Sequence, residues 1–149
     1  MLYEALSGKI IQSCYKVHSS LGSGAGRKLS VFCSPMHPGF WELPYHNALY
    51  NELKKQGLSV GYGVPFKVLY EGETVGEYFA DLVVQDAAGG SVLVEVKSVQ
   101  SFTNEHYAQV LNNMHISGIE VGLLVNFRPV SVQLKRLVLP RGTGGGPGG

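Results

Sequence analysis

Only two cysteines, Cys14 and Cys33, occur in 149 residues, which excludes a disulfide framework and suits a reducing compartment. Neither charge sign is in excess, with 12 Lys and Arg against 11 Asp and Glu. The molecule therefore lacks the overall positive field that would mark a nucleic-acid binder by composition. Any such binding must come from a local patch. Arg27/Lys28, Lys54/Lys55 and Lys135/Arg136 are candidates, although a solvated surface displays the same scatter. No apolar run approaches the roughly 20 residues of a membrane-spanning helix, so no membrane association is expected. The start, Met1 to Leu6, has no basic stretch and carries the early acid Glu4, unlike a secretory signal or a mitochondrial presequence. An intracellular location, cytoplasmic by default, is the expectation.

What is present suits one domain with a real core, expected over residues 1–140. Apolar residues at Leu2, Leu6, Ile10, Cys14, Val17 and Leu21 recur at helical spacing, giving a first helix over 2–21 that stops at Gly22. Residues 25–38 carry two prolines and no period, and read as an insertion. A second helix is expected over 41–56, with Pro44 in its first turn and Gly57 after its end. Three strands follow, at 64–70, 74–84 and 91–99, with short turns that imply an antiparallel meander. Thr103 should cap a third helix over 103–116, and the apolar run 121–127 can then pair parallel with the 91–99 strand. A short terminal segment completes the domain. The tail 141–149 is mostly glycine and is expected to be disordered. The class is α/β or α+β, with a single mixed sheet flanked by helices.

Chemistry concentrates on two of these strands. In Val92-Leu93-Val94-Glu95-Val96-Lys97, alternation sends Glu95 and Lys97 to one face and the valines to the other. Asp81 lies on the neighbouring hairpin strand, so its carboxylate can converge on the same point. Two acids and a lysine suit phosphodiester cleavage. A divalent ion would stabilise charge on the phosphate, Mg²⁺ (or Mn²⁺) accepts one or two carboxylates, and Lys97 could position water or neutralise developing charge. The plain alternative is a cross-strand salt bridge between Asp81 and Lys97 on a solvated face.

Further segments bear on that choice. Val17-His18-Ser19-Ser20-Leu21-Gly22-Ser23-Gly24, Gly39-Phe40-Trp41-Glu42-Leu43-Pro44-Tyr45-His46-Asn47-Ala48-Leu49, Val64-Pro65, Ala80-Asp81-Leu82, Glu95-Val96-Lys97 and Gly122-Leu123-Leu124-Val125-Asn126-Phe127 follow one another in order. This succession resembles the GxxExxxR protein family of the PD-(D/E)XK nuclease superfamily. The resemblance implies a restriction-endonuclease-like core, with Asp81 and Glu95 as metal ligands, Lys97 as catalytic lysine and Glu42 as the glutamate supplied by a preceding helix. It also places Gln109 where related nucleases often carry a helper residue, although an exposed helix polar group would look the same. The implied activity is a Mg²⁺-dependent nuclease acting on DNA or RNA. The alternative is a weak or inactive nuclease-fold protein that binds nucleic acid or serves as a structural subunit.

Two departures from that family stand near Glu42. His46 replaces the arginine of the motif, and a shorter, partly charged side chain would weaken a phosphate or carboxylate contact made by arginine. The 25–38 stretch separates segments that the family joins directly. Cys14-x-x-x-His18 and Cys33-x-x-x-His37 offer zinc-type ligands, but Cys14 sits on the core stripe of the first helix, where a free cysteine behaves as a small hydrophobe. Tyr62, Tyr70, Tyr78 and Tyr107 could stack on bases or pack at a rim. Phe66, Phe79 and Phe127 are expected in the core.

Overall fold

The apolar stripe of the first helix, α1 (Glu4–Leu21), is buried at Leu6, Ile10, Cys14 and Val17, a spacing that keeps one face inward. Gly22 ends it with φ 82, its N–H donating to the His18 carbonyl. In α2 (Glu42–Lys55) the buried stripe is Tyr45, Leu49 and Leu53, and it packs against α1. The computed structural model describes residues 3–22 and 42–140. The expected insertion at 25–38 and the glycine-rich tail at 141–149 lie outside these, as do Arg27, Lys28, Cys33, His37 and Trp41.

Two long strands follow, β1 (Ser59–Tyr70) and β2 (Glu73–Gln85), joined at Glu71-Gly72, both with positive φ. After β3 (Ser91–Lys97) comes α3 (Asn104–Ser117). Thr103 caps it in a capping box completed by His106, whose ring accepts the Thr103 N–H. Gly118 closes it in the left-handed region. Then come β4 (Val121–Asn126) and β5 (Gln133–Val138). The sheet order is β1-β2-β3-β4-β5, antiparallel throughout except for the β3–β4 pair. That pair is parallel because α3 carries the chain back across the sheet. The expected single mixed sheet flanked by helices is therefore the fold.

Helices cover both faces of the sheet. Val92, Val94 and Val96 of β3 join α1 and α2 in the larger core, while Leu93 joins Val110 and Met114 of α3 in a smaller one. Each such fully buried side chain contributes roughly 1.5–3 kcal/mol. Tyr45 of α2 stacks flat on Phe127 at 4.6 Å between centroids, tying α2 to the end of β4.

The structure corrects four expectations. The terminal segment holds a full edge strand, β5, whose mixed exposure gives it little apolar signal. β1 starts at Ser59, five residues before the expected 64, because Val60 already packs on the larger core. β3 ends at Lys97, where the chain turns aside under the Asn126 side chain. Phe79 is 57 % exposed, whereas Phe127 is buried and Phe66 packs on the α3-side core.

The exposure of Phe79 follows from a change of face along the hairpin. Leu82 and Val84 lie in the core beneath α1 and α2, yet Tyr78 and Ala80, of the same parity, lie with α3. The switch falls at Gly63 and Asp81. The β1–β2 register runs Tyr62↔Leu82 and resumes at Val64↔Ala80, passing over that pair, and Gly63 has φ 58. Beyond the switch, odd-numbered β2 residues such as Phe79 face a side that α1 and α2 do not cover.

Candidate active site

The same switch shapes the candidate site. β2 and β3 pair from Gln85↔Ser91 to Leu82↔Val94 and no further. One residue on, where Asp81 would face Glu95, Asp81 instead turns its carboxylate into the ladder, and Oδ2 accepts the Val96 N–H at 2.8 Å. The carboxylate thus sits over the backbone between Glu95 and Lys97. No direct ion pair joins Asp81 to Lys97 among the described residues, so the plain salt bridge is not what holds Asp81.

Glu95 is buried, with 7 % exposure, on the α3 side of β3. Burial pushes its carboxyl up to about 8, and the neighbouring Asp81 carboxylate pushes the same way. The Tyr78 hydroxyl donates to Glu95 Oε1 and acts against that rise. Burial, followed by the Glu95 charge, holds the Tyr78 phenol well above the usual range, while the side chain of Asn113, buried on α3, acts against that rise. Lys97, half-buried, favours the charged forms of both Glu95 and Glu42.

Glu42 opens α2 and reaches the end of β3, where Oε1 accepts the Ser98 N–H at 3.3 Å. Burial raises its carboxyl above the ordinary value, with Lys97 the main opposing influence. Glu42, Leu43, His46, Asp81 and Val96 line a cleft of about 170 Å³. Beyond Lys97 the chain is pinned by buried Asn126, which accepts from the Val99 N–H and donates to the Val99 carbonyl. The buried Ser98 hydroxyl has no partner among the described residues.

Of the residues singled out in the sequence, Asp81 and Lys97 are brought within electrostatic reach of both Glu42 and Glu95. Gln109 lies exposed on α3, and the polar group of α3 that acts on Tyr78 is Asn113, one turn further along. Tyr78, Asn113 and Asn126 were not singled out for these contacts, because nothing local marks a tyrosine or asparagine as the partner of a distant strand. Tyr107 packs in the α3-side core, Tyr70 is exposed on the hairpin, and Tyr62 stacks on His46.

Among the described residues no three His, Cys, Asp or Glu side chains are arranged to hold a metal ion. Glu42, Asp81 and Glu95 each have one carboxylate oxygen engaged, by Ser98, Val96 and Tyr78 respectively, and it is the Asp81 charge that bears directly on Glu95. Two hard carboxylates drawn close in a poorly solvated place fit Mg²⁺, which takes one or two protein carboxylates and completes its shell with water and phosphate oxygens. They do not fit a structural zinc site. The zinc-type pair on α1 is absorbed by the fold. Cys14 is fully buried, its thiol pushed far up by desolvation, and His18 Nε2 bonds to the Pro129 carbonyl at 2.9 Å.

No curated protein matches the sequence. One solved structure, titled as the crystal structure of SSO0001, superposes with a TM-score of 0.53 at 15 % identity. The match covers 93 % of this chain and 60 % of that one, so this chain spans about three fifths of its length and the likeness is one of fold. The model of the PD-(D/E)XK nuclease superfamily matches residues 4–137, which takes in every helix and nearly every strand residue described above. The chain belongs to the PD-(D/E)XK nuclease superfamily.

Proposed function

We propose that this protein is a divalent-metal-dependent nuclease that hydrolyses phosphodiester bonds in DNA or RNA, with Asp81 and Glu95 as the Mg²⁺ or Mn²⁺ ligands. The observation that carries this reading is the placing of the Asp81 carboxylate on the Val96 amide, between Glu95 and Lys97, in a chain of this superfamily. When bound there, the ion would neutralise charge on the phosphate and make the attacking water more acidic. Lys97 supplies a fixed positive charge beside the reacting phosphate, where developing negative charge needs it. Glu42, bonded to Ser98 at the rim of the cleft, assists by holding the end of β3 against α2 and by adding acceptor capacity for water. Gln109 is assigned a helper role on the next helix. Within the superfamily, the Gly39-x-x-Glu42-x-x-x-His46 stretch supports a place in the GxxExxxR family.

The test is incubation of the purified chain with labelled single- and double-stranded DNA and RNA in the presence of Mg²⁺, Mn²⁺ or EDTA. Cleavage that needs the metal and disappears in Lys97→Ala supports the reading. Cleavage that survives both EDTA and Lys97→Ala sinks it. A second reading is a nuclease-fold protein that binds without cutting. It is favoured by the present partner of Glu95, since the Tyr78 hydroxyl already occupies Glu95 Oε1. That reading requires salt-sensitive binding with no product under any metal.

A further inference from the structure

His46 stands where the related motif has an arginine, and its ring does something other than await a phosphate. Nε2 lies 2.8 Å from the main-chain carbonyl oxygen of Asp81. A carbonyl can only accept, so Nε2 carries the proton and His46 donates. This carbonyl belongs to the residue at which the β1–β2 register passes over its pair, opposite Gly63 with φ 58. His46 therefore donates to the Asp81 main chain at the point where the register skips a pair.

The ring is itself held in place from β1. Tyr62, the residue before Gly63, stacks on His46 at 4.1 Å with the planes 6° apart. Its hydroxyl donates to Asn47 Oδ1 at 2.6 Å, and Tyr50 meets it edge-on at 5.4 Å. Residues 46, 47 and 50 of α2 thus grip a single tyrosine of β1. That grip leaves the imidazole little freedom except to face Asp81.

We propose that His46 is a positioning residue that fixes the Asp81 main chain, with Tyr62 as its backing plate, so that the Asp81 carboxylate stays on the Val96 amide. The catalytic consequence rests on the nuclease reading above, whereas the positional one does not. Arginine is not required for this task. The partner is a neutral carbonyl, for which one well-aimed N–H suffices, and so the substitution marks a different anchoring of Asp81 rather than a lost phosphate contact.

Three variants of the full chain test it: His46→Phe, which keeps a stacking ring but no donor, His46→Gln, which keeps an N–H, and Tyr62→Leu, which keeps the donor but removes its backing. Amide hydrogen exchange at Val96, followed by NMR against Leu93 as an internal reference, reports whether Asp81 still holds that amide. His46→Phe is expected to speed Val96 exchange roughly tenfold, Tyr62→Leu by less, and His46→Gln to restore most of the protection. In the cleavage assay, His46→Phe is expected to lower kcat by roughly tenfold to a hundredfold, with KM changed by less than about twofold. His46→Gln is expected to recover most of that loss. A merely structural role would lower the thermal midpoint without selecting Val96 or separating Gln from Phe. Unchanged Val96 exchange in folded His46→Phe overturns the proposal, as do equal effects of Phe and Gln. If His46→Phe does not fold, exchange in His46→Gln and Tyr62→Leu decides in the same way. If the wild-type chain cleaves nothing, the exchange result alone decides, and it is the nuclease reading that has failed.

Discussion

The β1–β2 hairpin has two halves that obey opposite rules. In the inner half Val60, Leu82 and Val84 face the core beneath α1 and α2, and β2 has β3 as a second neighbour. In the outer half Phe66, Tyr78 and Ala80 face α3 instead, while Leu69, Tyr70, Val75 and Phe79 are exposed. The halves meet at Gly63 and Asp81. A strand that changes face leaves ladder groups unpaired at the change, and buried polar groups must be paired. Here side chains take them: Asp81 claims the Val96 amide, and His46 claims the Asp81 carbonyl. The candidate carboxylate stands at the seam between the halves because the seam is where backbone groups are available to hold it.

The largest effect is expected at the seam itself. Asp81→Asn should keep a side-chain oxygen for the Val96 amide while removing the ligand charge, and cleavage rates should fall by at least about a hundredfold. A near-normal rate in Asp81→Asn would show that the seam only shapes the sheet. In the inner half, Leu82→Ala empties a fully buried site and should cost roughly 2–5 kcal/mol in urea unfolding. Gly63→Ala should cost about 1–2 kcal/mol, since a Cβ there meets nothing within 4 Å and the penalty is that of positive φ alone. In the outer half, Phe79→Ser should change stability by less than about 0.5 kcal/mol. A loss as large as that of Leu82→Ala would erase the distinction between the halves.

The smallest effect lies away from the hairpin, on the α1–α2 seam. Lys16 Nζ donates to Glu52 Oε1 at 2.8 Å, and this bond first, then Gln56, holds the Glu52 carboxyl below its ordinary value. A depressed acid stabilises the folded state above its unfolded pKa and loses that contribution as pH falls through its folded one. Lys16→Met should therefore lower the thermal midpoint slightly at pH 7, with the difference fading as the solution is acidified through the carboxylate range. A difference that grows on acidification would contradict the assignment.

Much of this was legible in the residues. Helical spacing marks α1, Thr103 marks the start of α3, and short turns mark the meander. The valine alternation in β3 marks the face of Val92, Val94 and Val96 that packs beneath α1 and α2. What was not legible is non-local. β5 has a mixed surface pattern and becomes a strand only because β4 offers an edge to it. Phe79 reads as core in a run of strand formers, yet one glycine with positive φ opposite Asp81 accompanies the change that sends it outward. Tyr78 reaches Glu95 across 17 residues, and His46 reaches Asp81 across 35.

By itself the sequence determined which chemistry is on offer and on which segments, because alternation and helical spacing are properties of short stretches. It also marked the superfamily, through the order of its segments. Only the tertiary structure decided how Asp81 is held, since that depends on where two ladders come apart and on which side chains of α2 and β3 reach the gap. The exposure of a phenylalanine and the use of a histidine where a related motif has arginine follow from the same break in the sheet.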